Sequence, residues 1–112
     1  MLRKENRLRA ENDFKKVFHG GARARSGPFQ LLCRKSAVSN ARFGFVIPLS
    51  VSKKAVQRNK LRRQLREIVR TVFYQKVSGY DCVIRVYAGA DRLKYQDIEK
   101  HIISVFHKIQ LL

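Results

Sequence analysis

The residues best suited to bind another molecule lie in one basic stretch, from Lys53 to Arg70. Its eighteen residues include eight Lys or Arg and a single acid, Glu67. Arginine outnumbers lysine there by five to three, and the guanidinium fork suits bidentate contact with phosphate. So many like charges repel each other, which is tolerable where the partner is a polyanion such as nucleic acid. The alternative is a solvated charged surface, although such surfaces usually mix both signs.

The acidic residues could form a catalytic site only if several of them converged, because metal-dependent nucleases need two or three carboxylates at one point. They are scattered along the chain, most of them near predicted helix starts, where they favour the helix dipole: Glu5, Glu11, Asp13, Glu67, Asp81, Asp91, Asp97 and Glu99. Glu67 is expected to pair with Arg63 or Arg70 on its own helix. The histidines, His19, His101 and His107, lack metal-ligand spacing. The sequence therefore predicts no catalytic group and no metal site in the protein.

Composition supports a polyanionic partner. The 112 residues fit a single domain, and 25 Lys and Arg against 8 Asp and Glu give a formal net charge of +17. An enzyme for a small neutral metabolite does not need this charge. Binding to a phosphate backbone is favoured by it, because each neutralised phosphate releases condensed counterions. A membrane surface is the rival polyanion, but no run of about 18 apolar residues exists. We expect a cytoplasmic protein with no signal peptide, in which Cys33 and Cys82 are buried thiols.

Periodicity and turn residues predict three helices and three strands that would position these groups. The helices are expected at 12–19, capped by Asn12 or Asp13, at 54–76 and at 95–109; the strands are expected at 28–35, 41–47 and 81–88, with a loop at 89–92. Residues 1–10 are basic and predicted to be flexible. The order αββαβα around one central sheet indicates the α+β class and a small α/β sandwich.

Within the predicted basic helix, apolar and basic residues form two parallel stripes. Leu61, Leu65, Ile68 and Val72 recur with helical spacing, while Arg58, Arg62, Arg66 and Arg70 follow at intervals of four. The first stripe should face the core and the second should flank it. On the preceding short helix, Phe14 and Phe18 share a face. They either anchor that helix on the sheet or form an open platform on which unpaired bases stack.

The chain resembles the bacterial ribonuclease P protein family along nearly its whole length, and three ordered motifs make the resemblance specific. The sequence AVQRNKLRRQLREIVR resembles the family signature A-V-x-R-N-R-x-K-R-x-x-R-E, through Ala55, Val56, Arg58, Asn59, Lys60, Arg62, Arg63, Arg66 and Glu67. The opening NRLRAENDFKKVFHGG is similar to the family's amino-terminal motif, through Asn6, Arg7, Leu8, Asp13, Phe14, Val17, Phe18 and Gly21. RFGFVI, with Arg42 and Gly44, resembles the strand before the signature.

The resemblance implies a subunit of a ribonucleoprotein that removes the 5′ leader of precursor tRNA. The RNA subunit performs the hydrolysis, with Mg²⁺ held mainly by RNA and substrate, and no protein partner is required. Residues implied to bind the catalytic RNA are Lys53, Lys54, Arg58, Asn59, Lys60, Arg62, Arg63, Arg66 and Arg70. Those implied to line a cleft for the single-stranded leader are Phe14, Lys15, Phe18 and Leu32. The family fold also implies a left-handed crossover through the basic helix.

Some positions depart from the family pattern. Leu49 and Ser50 replace a usual lysine pair, Lys60 replaces the second arginine of the signature, and Leu32 replaces a frequent aromatic residue. Two other classes of function remain open at this level. The protein is either a structural RNA-binding protein, such as a ribosomal component, or a nuclease that works without an RNA subunit.

Overall fold

The computed structural model describes residues 4–36, 39–73 and 79–109. Its strands are β1 (Ala22–Ser26), β2 (Phe29–Lys35), β3 (Arg42–Val46) and β4 (Tyr80–Val86). Its helices are α1 (Glu11–His19), α2 (Ala55–Ile68) and α3 (Tyr95–Lys108). Short 3-10 turns lie at Lys4–Asn6 and Ala90–Arg92, and a π-helical turn, Val69–Phe73, follows α2. The predicted α+β class is confirmed.

The four strands form one mixed sheet in the order β1-β2-β4-β3. Strand β2 pairs antiparallel with β1 and with β4, whereas β3 and β4 run parallel. Parallel neighbours need a crossover connection, and the chain makes that connection through α2. The left-handed sense of this crossover stays a prediction.

The predicted element order αββαβα is wrong in one respect, because the strand β1 follows α1 and makes the order αβββαβα. The sequence of β1, ARARS, alternates only the small residue Ala with Arg, which is a weak strand signal because Ala is depleted in strands. The strand forms because its backbone pairs with β2 across the two-residue turn Gly27-Pro28, where Gly27 has a φ of +54°. As an edge strand whose side chains are exposed or half-buried, β1 needs little apolar surface.

The sheet is covered on both faces, which confirms the sandwich. On one face Phe29, Leu31 and Cys33 pack in the larger core, together with α2 and α3. That core includes Leu61, Leu65 and Ile68 of α2 and Ile98, Ile102, Val105 and Phe106 of α3, as their periodicity predicted. The opposite face carries a smaller core under α1, formed by Leu8, Val17, Leu32 and Val83. Helix α1 therefore lies across the sheet from the basic helix.

Several helix boundaries differ from the predictions. Helix α1 begins at Glu11 and its N-cap is Ala10, with no side-chain cap, so the predicted capping by Asn12 or Asp13 is wrong. The predicted helix at 54–76 divides into α2 and the π-helical turn, and residues 74–76 and the side chain of Val72 lie outside the described part. In the ranges described, no helix is long and apolar enough to cross a membrane.

The segment before α1 is docked on the sheet, which differs from the flexible segment predicted at 1–10. The Asn6 side chain donates a hydrogen bond to the Ala41 carbonyl at 2.6 Å, and the Leu8 amide donates to the Phe43 carbonyl at 2.8 Å. Arg7 forms a parallel bridge with Phe43. The segment thereby covers the β3 edge of the sheet from residue 4 onward, and residues 1–3 lie outside the described part.

Cys33 and Cys82 are free, buried thiols, as predicted. They lie opposite each other on β2 and β4, with their sulfur atoms 2.7 Å apart. Burial, followed by the hydrogen bond from Cys33, raises the pKa of the Cys82 thiol well above its usual value. The Cys82 thiol therefore remains protonated near neutral pH, and both cysteine side chains fill space in the core.

Candidate nucleic-acid interface

Helix α2 presents its basic residues on several sides rather than as one stripe. Leu61, Leu65 and Ile68 face the core, so the helix cannot rotate. These three are the only buried residues of α2 in the described structure, and the rest of the helix is mostly polar. Side chains that flank the buried stripe are therefore directed along the sheet, and those opposite it into solvent.

Arg62 and Arg66 line a cleft of about 280 Å³ beside the β3 edge, which we call the arginine cleft. Its other lining residues come from the docked amino-terminal segment, α1 and β3: Arg7, Leu8, Arg9, Phe14, Phe43, Gly44 and Phe45. Basic side chains of α2 and of the amino-terminal segment thus meet an aromatic ring of α1. Cationic and aromatic groups together are what single-stranded nucleic acid requires, since the cations bind phosphates and the rings stack on bases.

Electrostatic repulsion is built into the arginine cleft. The pKa of Arg66 is lowered, first by partial burial and then by the charges of Arg7 and Arg62. Among the ion pairs of the described residues, none joins Arg62 or Arg66 to a carboxylate. Arg62 donates instead to the side-chain oxygen of Asn59, at 3.1 Å. The cleft therefore concentrates positive charge that an anion from outside can neutralise.

Phe14 reaches this cleft because Gly44 has no side chain. A Cβ atom at Gly44 would lie 2.4 Å from Cζ of Phe14, far inside contact distance. The Phe14 ring is half-buried against β3 and its ring centroid is 6.3 Å from that of Phe18. The rings of this pair anchor α1, as the first alternative predicted, and the stacking of unpaired bases on them stays a prediction.

The remaining residues predicted to bind the catalytic RNA are spread around α2. Lys53, Lys54, Asn59, Lys60 and Arg63 are exposed. Arg58 is half-buried and donates to the Ser52 carbonyl at 2.8 Å, so it also holds the loop before the helix. Arg70 forms an ion pair with Glu67 at 2.8 Å, one of the two pairings predicted. That hydrogen bond lowers the pKa of Glu67 and raises that of Arg70.

The residues predicted to line a leader cleft are not all brought together. Phe14 lines the arginine cleft. Phe18 lies beneath Arg85, whose guanidinium carbon is 4.7 Å from the centroid of the Phe18 ring. Lys15 lies on the outer side of α1, with its amine 3.6 Å from the Glu11 carboxylate. Leu32 is 1% exposed under α1 and has no surface to offer a nucleotide, so the contact predicted for it is corrected to a packing role.

Arg42 is the best-paired cation in the described part of the chain. It donates to both oxygens of the Asp81 carboxylate, at 2.8 and 2.7 Å, and to Asp13 at 3.4 Å. The Asp81 hydrogen bond is the main cause of the raised pKa of Arg42. Asp81 is 7% exposed, and the bidentate pair compensates the cost of burying it. The network ties α1 to the parallel strands β3 and β4.

This network brings together two carboxylates that the sequence separates by 68 positions, Asp13 and Asp81. Their partner is an arginine rather than an open coordination position. Across the ranges 4–36, 39–73 and 79–109, no group of three or more His, Cys, Asp or Glu side chains is placed to hold a metal ion. The donor set does not fit a resident metal in this part of the protein.

Sequence reasoning about chemistry missed the contribution of the amino-terminal segment to the site. Arg7 and Arg9 precede α1 by only a few residues, in a segment whose composition suggested flexibility. The signal that could have located them is Leu8, an isolated apolar residue in the middle of a basic run. Leu8 is 5% exposed, and its burial fixes Arg7 and Arg9 at the cleft.

Known proteins match this architecture along nearly its full length. The family model described as Ribonuclease P matches residues 2–110. A curated protein of Pseudanabaena sp., named Ribonuclease P protein component, is 35% identical over 100% of this chain and 97% of its own. A protein of the same name from Syntrophomonas wolfei is 35% identical over 99% of this chain and 92% of its own.

Solved structures extend the likeness to three dimensions. The RNase P protein from Thermotoga maritima has a TM-score of 0.81 and 28% identity, covering 93% of this chain and 97% of that one. A Staphylococcus aureus RNase P protein has a TM-score of 0.86 at 19% identity, covering 95% and 96%, and so supports the fold alone. With the family model spanning the chain and relatives above 30% identity along it, this protein belongs to the ribonuclease P protein family.

Proposed function

We propose that this protein binds the catalytic RNA of ribonuclease P through α2 and holds the single-stranded 5′ leader of precursor tRNA at the arginine cleft. Family membership makes it an accessory subunit of an endoribonuclease, with the RNase P RNA as its partner. The proposal adds that α2 contacts the catalytic RNA and that the arginine cleft contacts the leader. It includes a cytoplasmic location, where bacterial precursor tRNAs are made.

The observation that carries the proposal is the charge of Arg62 and Arg66, which no carboxylate among the described residues pairs with, beside an aromatic ring. Arg62 and Arg66 face a cleft of about 280 Å³, and Phe14 forms part of its wall. A phosphate bound there would relieve the repulsion from Arg7 and Arg62, which adds to partial burial in lowering the pKa of Arg66. A base next to that phosphate could stack on Phe14, an interaction worth about 1–3 kcal/mol per base. Duplex RNA does not expose its bases in this way, so the cleft favours a single strand.

The outer residues of α2 suit a different contact. Lys53, Lys54, Lys60 and Arg63 are exposed on a helix that the core holds rigid. Such side chains can reach successive phosphates of a folded RNA without any base being unstacked. We therefore assign the exposed side of α2 to the catalytic RNA and the cleft side to the leader.

In the proposed mechanism the protein binds and orients, and RNA supplies the reacting groups. The two carboxylates that share one arginine, Asp13 and Asp81, are neutralised by Arg42 and serve the fold. Mg²⁺, held by RNA and substrate, would supply the activated water. The protein's own residues increase local positive charge, which lowers the concentration of metal ion needed to bring two polyanions together.

The proposal is tested by reconstitution with a bacterial RNase P RNA. Adding the protein at low Mg²⁺ should increase the cleavage rate of precursor tRNA, and the Arg62→Ala/Arg66→Ala variant should lose most of the increase. The Arg92→Ala variant, which removes an exposed charge from the turn before α3, is the matched control.

Each alternative function predicts a different result. A structural RNA-binding protein of another particle would not stimulate cleavage at any Mg²⁺ concentration. A nuclease that works without RNA would cleave precursor tRNA when the RNA subunit is omitted. Either result would refute the proposed function.

A further inference from the structure

A groove runs along the side of α1 that faces away from its two phenylalanines. Residues three or four positions apart share one side of a helix, so Phe14 and Phe18 share one side of α1, whereas Lys16 and His19 share another. Two cavities, of about 450 and 310 Å³, lie along this second side, and both are lined by Lys16 and Arg34. We call the two cavities together the Lys16 groove.

The sheet supplies the floor of the Lys16 groove. Arg34 of β2, Asp81 of β4 and Arg42 of β3 lie directly opposite one another, so their side chains point to the same face of the sheet. Leu32, two residues before Arg34 on β2, points to this face as well and packs under α1. The groove is therefore bounded by α1 above and by the ends of three strands below.

The end of α1 is fixed close to the end of β2. Gly21, just after the helix, lies so near the backbone of Cys33 that a Cβ atom there would collide with the Cys33 carbonyl. This close approach brings Lys16 and His19, in the last turn of α1, to the same cavity as Arg34. The cationic side chains thus come from two elements that hold each other in place.

The Lys16 groove carries an excess of positive charge. The two carboxylates that line it are both paired with Arg42. Three further cations line it, Lys16, Arg34 and Lys35, and none of the ion pairs found among the described residues includes any of them. All three are exposed, so their charge is available to an anion from outside.

The lining of the Lys16 groove differs in kind from that of the arginine cleft. Three phenylalanines line the arginine cleft, whereas no Phe, Tyr or Trp is found among the described residues that line the groove. Without such a ring on which a base could stack, the groove suits phosphates and ribose rather than unpaired bases. Asn12 adds an amide that can donate to a 2′-hydroxyl or accept from it. These groups fit the backbone of helical RNA.

The position of the Lys16 groove indicates which RNA it meets. Helix α2 packs on one face of the sheet and the groove lies on the other, with α1 between the groove and the side of the helix that carries Phe14. Of the 25 Lys and Arg in the chain, eight lie between Lys53 and Arg70, so most of the positive charge lies outside the basic helix. A folded RNA can contact both faces of so small a domain, and family membership supplies one, the RNase P RNA.

We infer that the Lys16 groove binds the phosphate backbone of a helical part of the catalytic RNA, with Lys16, Arg34 and Lys35 as its cationic contacts. This inference rests on the proposed function, since it takes α2 to contact the same RNA from the other face of the sheet. It gives the protein a second surface for the RNA subunit, separate from α2 and from the leader. Contacts on two faces would hold the protein in one orientation and so fix the direction of the arginine cleft.

The test measures binding of the protein to RNase P RNA alone, without substrate, over a series of salt concentrations. The Lys16→Ala/Arg34→Ala variant should bind more weakly than the wild-type protein. Its slope of log affinity against log salt should flatten by about 1.8, since each of the two lost phosphate contacts contributes about 0.9. Arg92→Ala/Lys100→Ala removes two exposed charges at and before α3, so it is the control matched in net charge, and its slope should not change.

Three further measurements separate this inference from substrate binding, from the fold and from the proposed function. Once it is assembled with RNase P RNA at saturating protein, the Lys16→Ala/Arg34→Ala variant should bind precursor tRNA as the wild-type protein does. Its urea unfolding should also match the wild-type protein, because both side chains are exposed. In parallel, Lys60→Ala/Arg63→Ala, on the exposed side of α2, should weaken binding to the RNA subunit if the proposed function holds.

The outcomes differ for each failure. An unchanged salt slope for Lys16→Ala/Arg34→Ala would overturn the inference and leave the groove as a solvated surface. Equal flattening in the matched control would overturn it too, because net charge alone would then explain the effect. Weaker binding of precursor tRNA with unchanged affinity for the RNA subunit would overturn it by assigning the groove to the substrate. Unchanged binding by Lys60→Ala/Arg63→Ala would instead refute the contact proposed for α2.

Discussion

Arg42 and Arg66 are both half-buried arginines near the β3 edge, yet their surroundings are opposite. Arg42 meets two carboxylates, Asp81 and Asp13, and its pKa is raised. Arg66 is partly buried and lies near other arginines, and both effects lower its pKa. The first arrangement stabilises the folded chain, whereas the second opposes folding and is relieved by an anion. In so basic a protein, the local partner of an arginine indicates its role better than its position in a motif.

Helix α1 contributes adjacent residues to the surroundings of Arg42 and to the arginine cleft. Asp13 points to Arg42 and completes the ion network, while Phe14 packs over Gly44 and borders the arginine cleft. The ion pair with Arg42 thus holds α1 in place, and α1 in turn positions the Phe14 ring beside Arg62 and Arg66. Stability and binding are coupled at this helix, and mutations can separate them.

Arg42→Ala should cause a large loss of stability. This change leaves Asp81, 7% exposed, without its bidentate donor, and hydrogen bonds to charged groups contribute about 1.5–3 kcal/mol. We expect the free energy of unfolding to fall by about 2–3 kcal/mol, measured by urea denaturation. Arg34→Ala, at the exposed position opposite Asp81 on β2, should cost far less. Equal losses for the two variants would show that net charge, rather than the network, stabilises the fold.

Phe14→Ala should separate the binding role of α1 from its packing role. If a base stacks on the ring, precursor tRNA binding should weaken by about 1–3 kcal/mol, more than mature tRNA binding. If the ring only packs, stability should fall by roughly 3–5 kcal/mol and both tRNAs should lose affinity in proportion to the unfolded fraction. Val17→Ala, at a fully buried position of the same helix, is the control for packing alone.

Arg62→Glu would place a carboxylate one turn from Arg66, much as Asp81 lies beside Arg42. An acid at i with an arginine at i+4 favours the helix, so stability should be maintained. Binding to the RNA subunit should weaken more than in Arg62→Ala, and the slope of log affinity against log salt should flatten by about 0.9 per lost phosphate contact. A slope equal to that of the wild-type protein would mean that this side of α2 is merely solvated.

The smallest effects should come from the carboxylates that neutralise arginines. Asp13→Asn and Glu67→Gln should leave the single-turnover cleavage rate nearly unchanged at saturating protein and high Mg²⁺. Loss of a general base typically costs about a hundredfold or more in rate. A drop of that size in a folded, RNA-bound variant would assign chemistry to the protein.

The sequence by itself determined the three helices, three of the four strands and the buried stripes that orient them. Leu61, Leu65 and Ile68 fix the rotation of α2 because burial of a helical stripe depends on local periodicity. The motifs around Asn59, Phe14 and Gly44 also indicated the family, since local order along the chain is what a signature records. Arginine-rich composition was enough to predict a polyanionic partner.

The Glu67–Arg70 ion pair followed from helical spacing, but only the tertiary structure decided that Arg42 is neutralised. Asp13, Arg42 and Asp81 are distant in sequence and meet because α1 packs over β2 and β4, which brings Asp13 to Arg42 on the neighbouring strand β3. The edge strand β1 depends on backbone pairing with β2, which its side chains do not encode. The docking of Arg7 beside Arg66 follows from burial of Leu8 in a core assembled from three other elements. Each of these contacts joins segments far apart in the chain, so their energies depend on the assembled fold and have no local signal in the sequence.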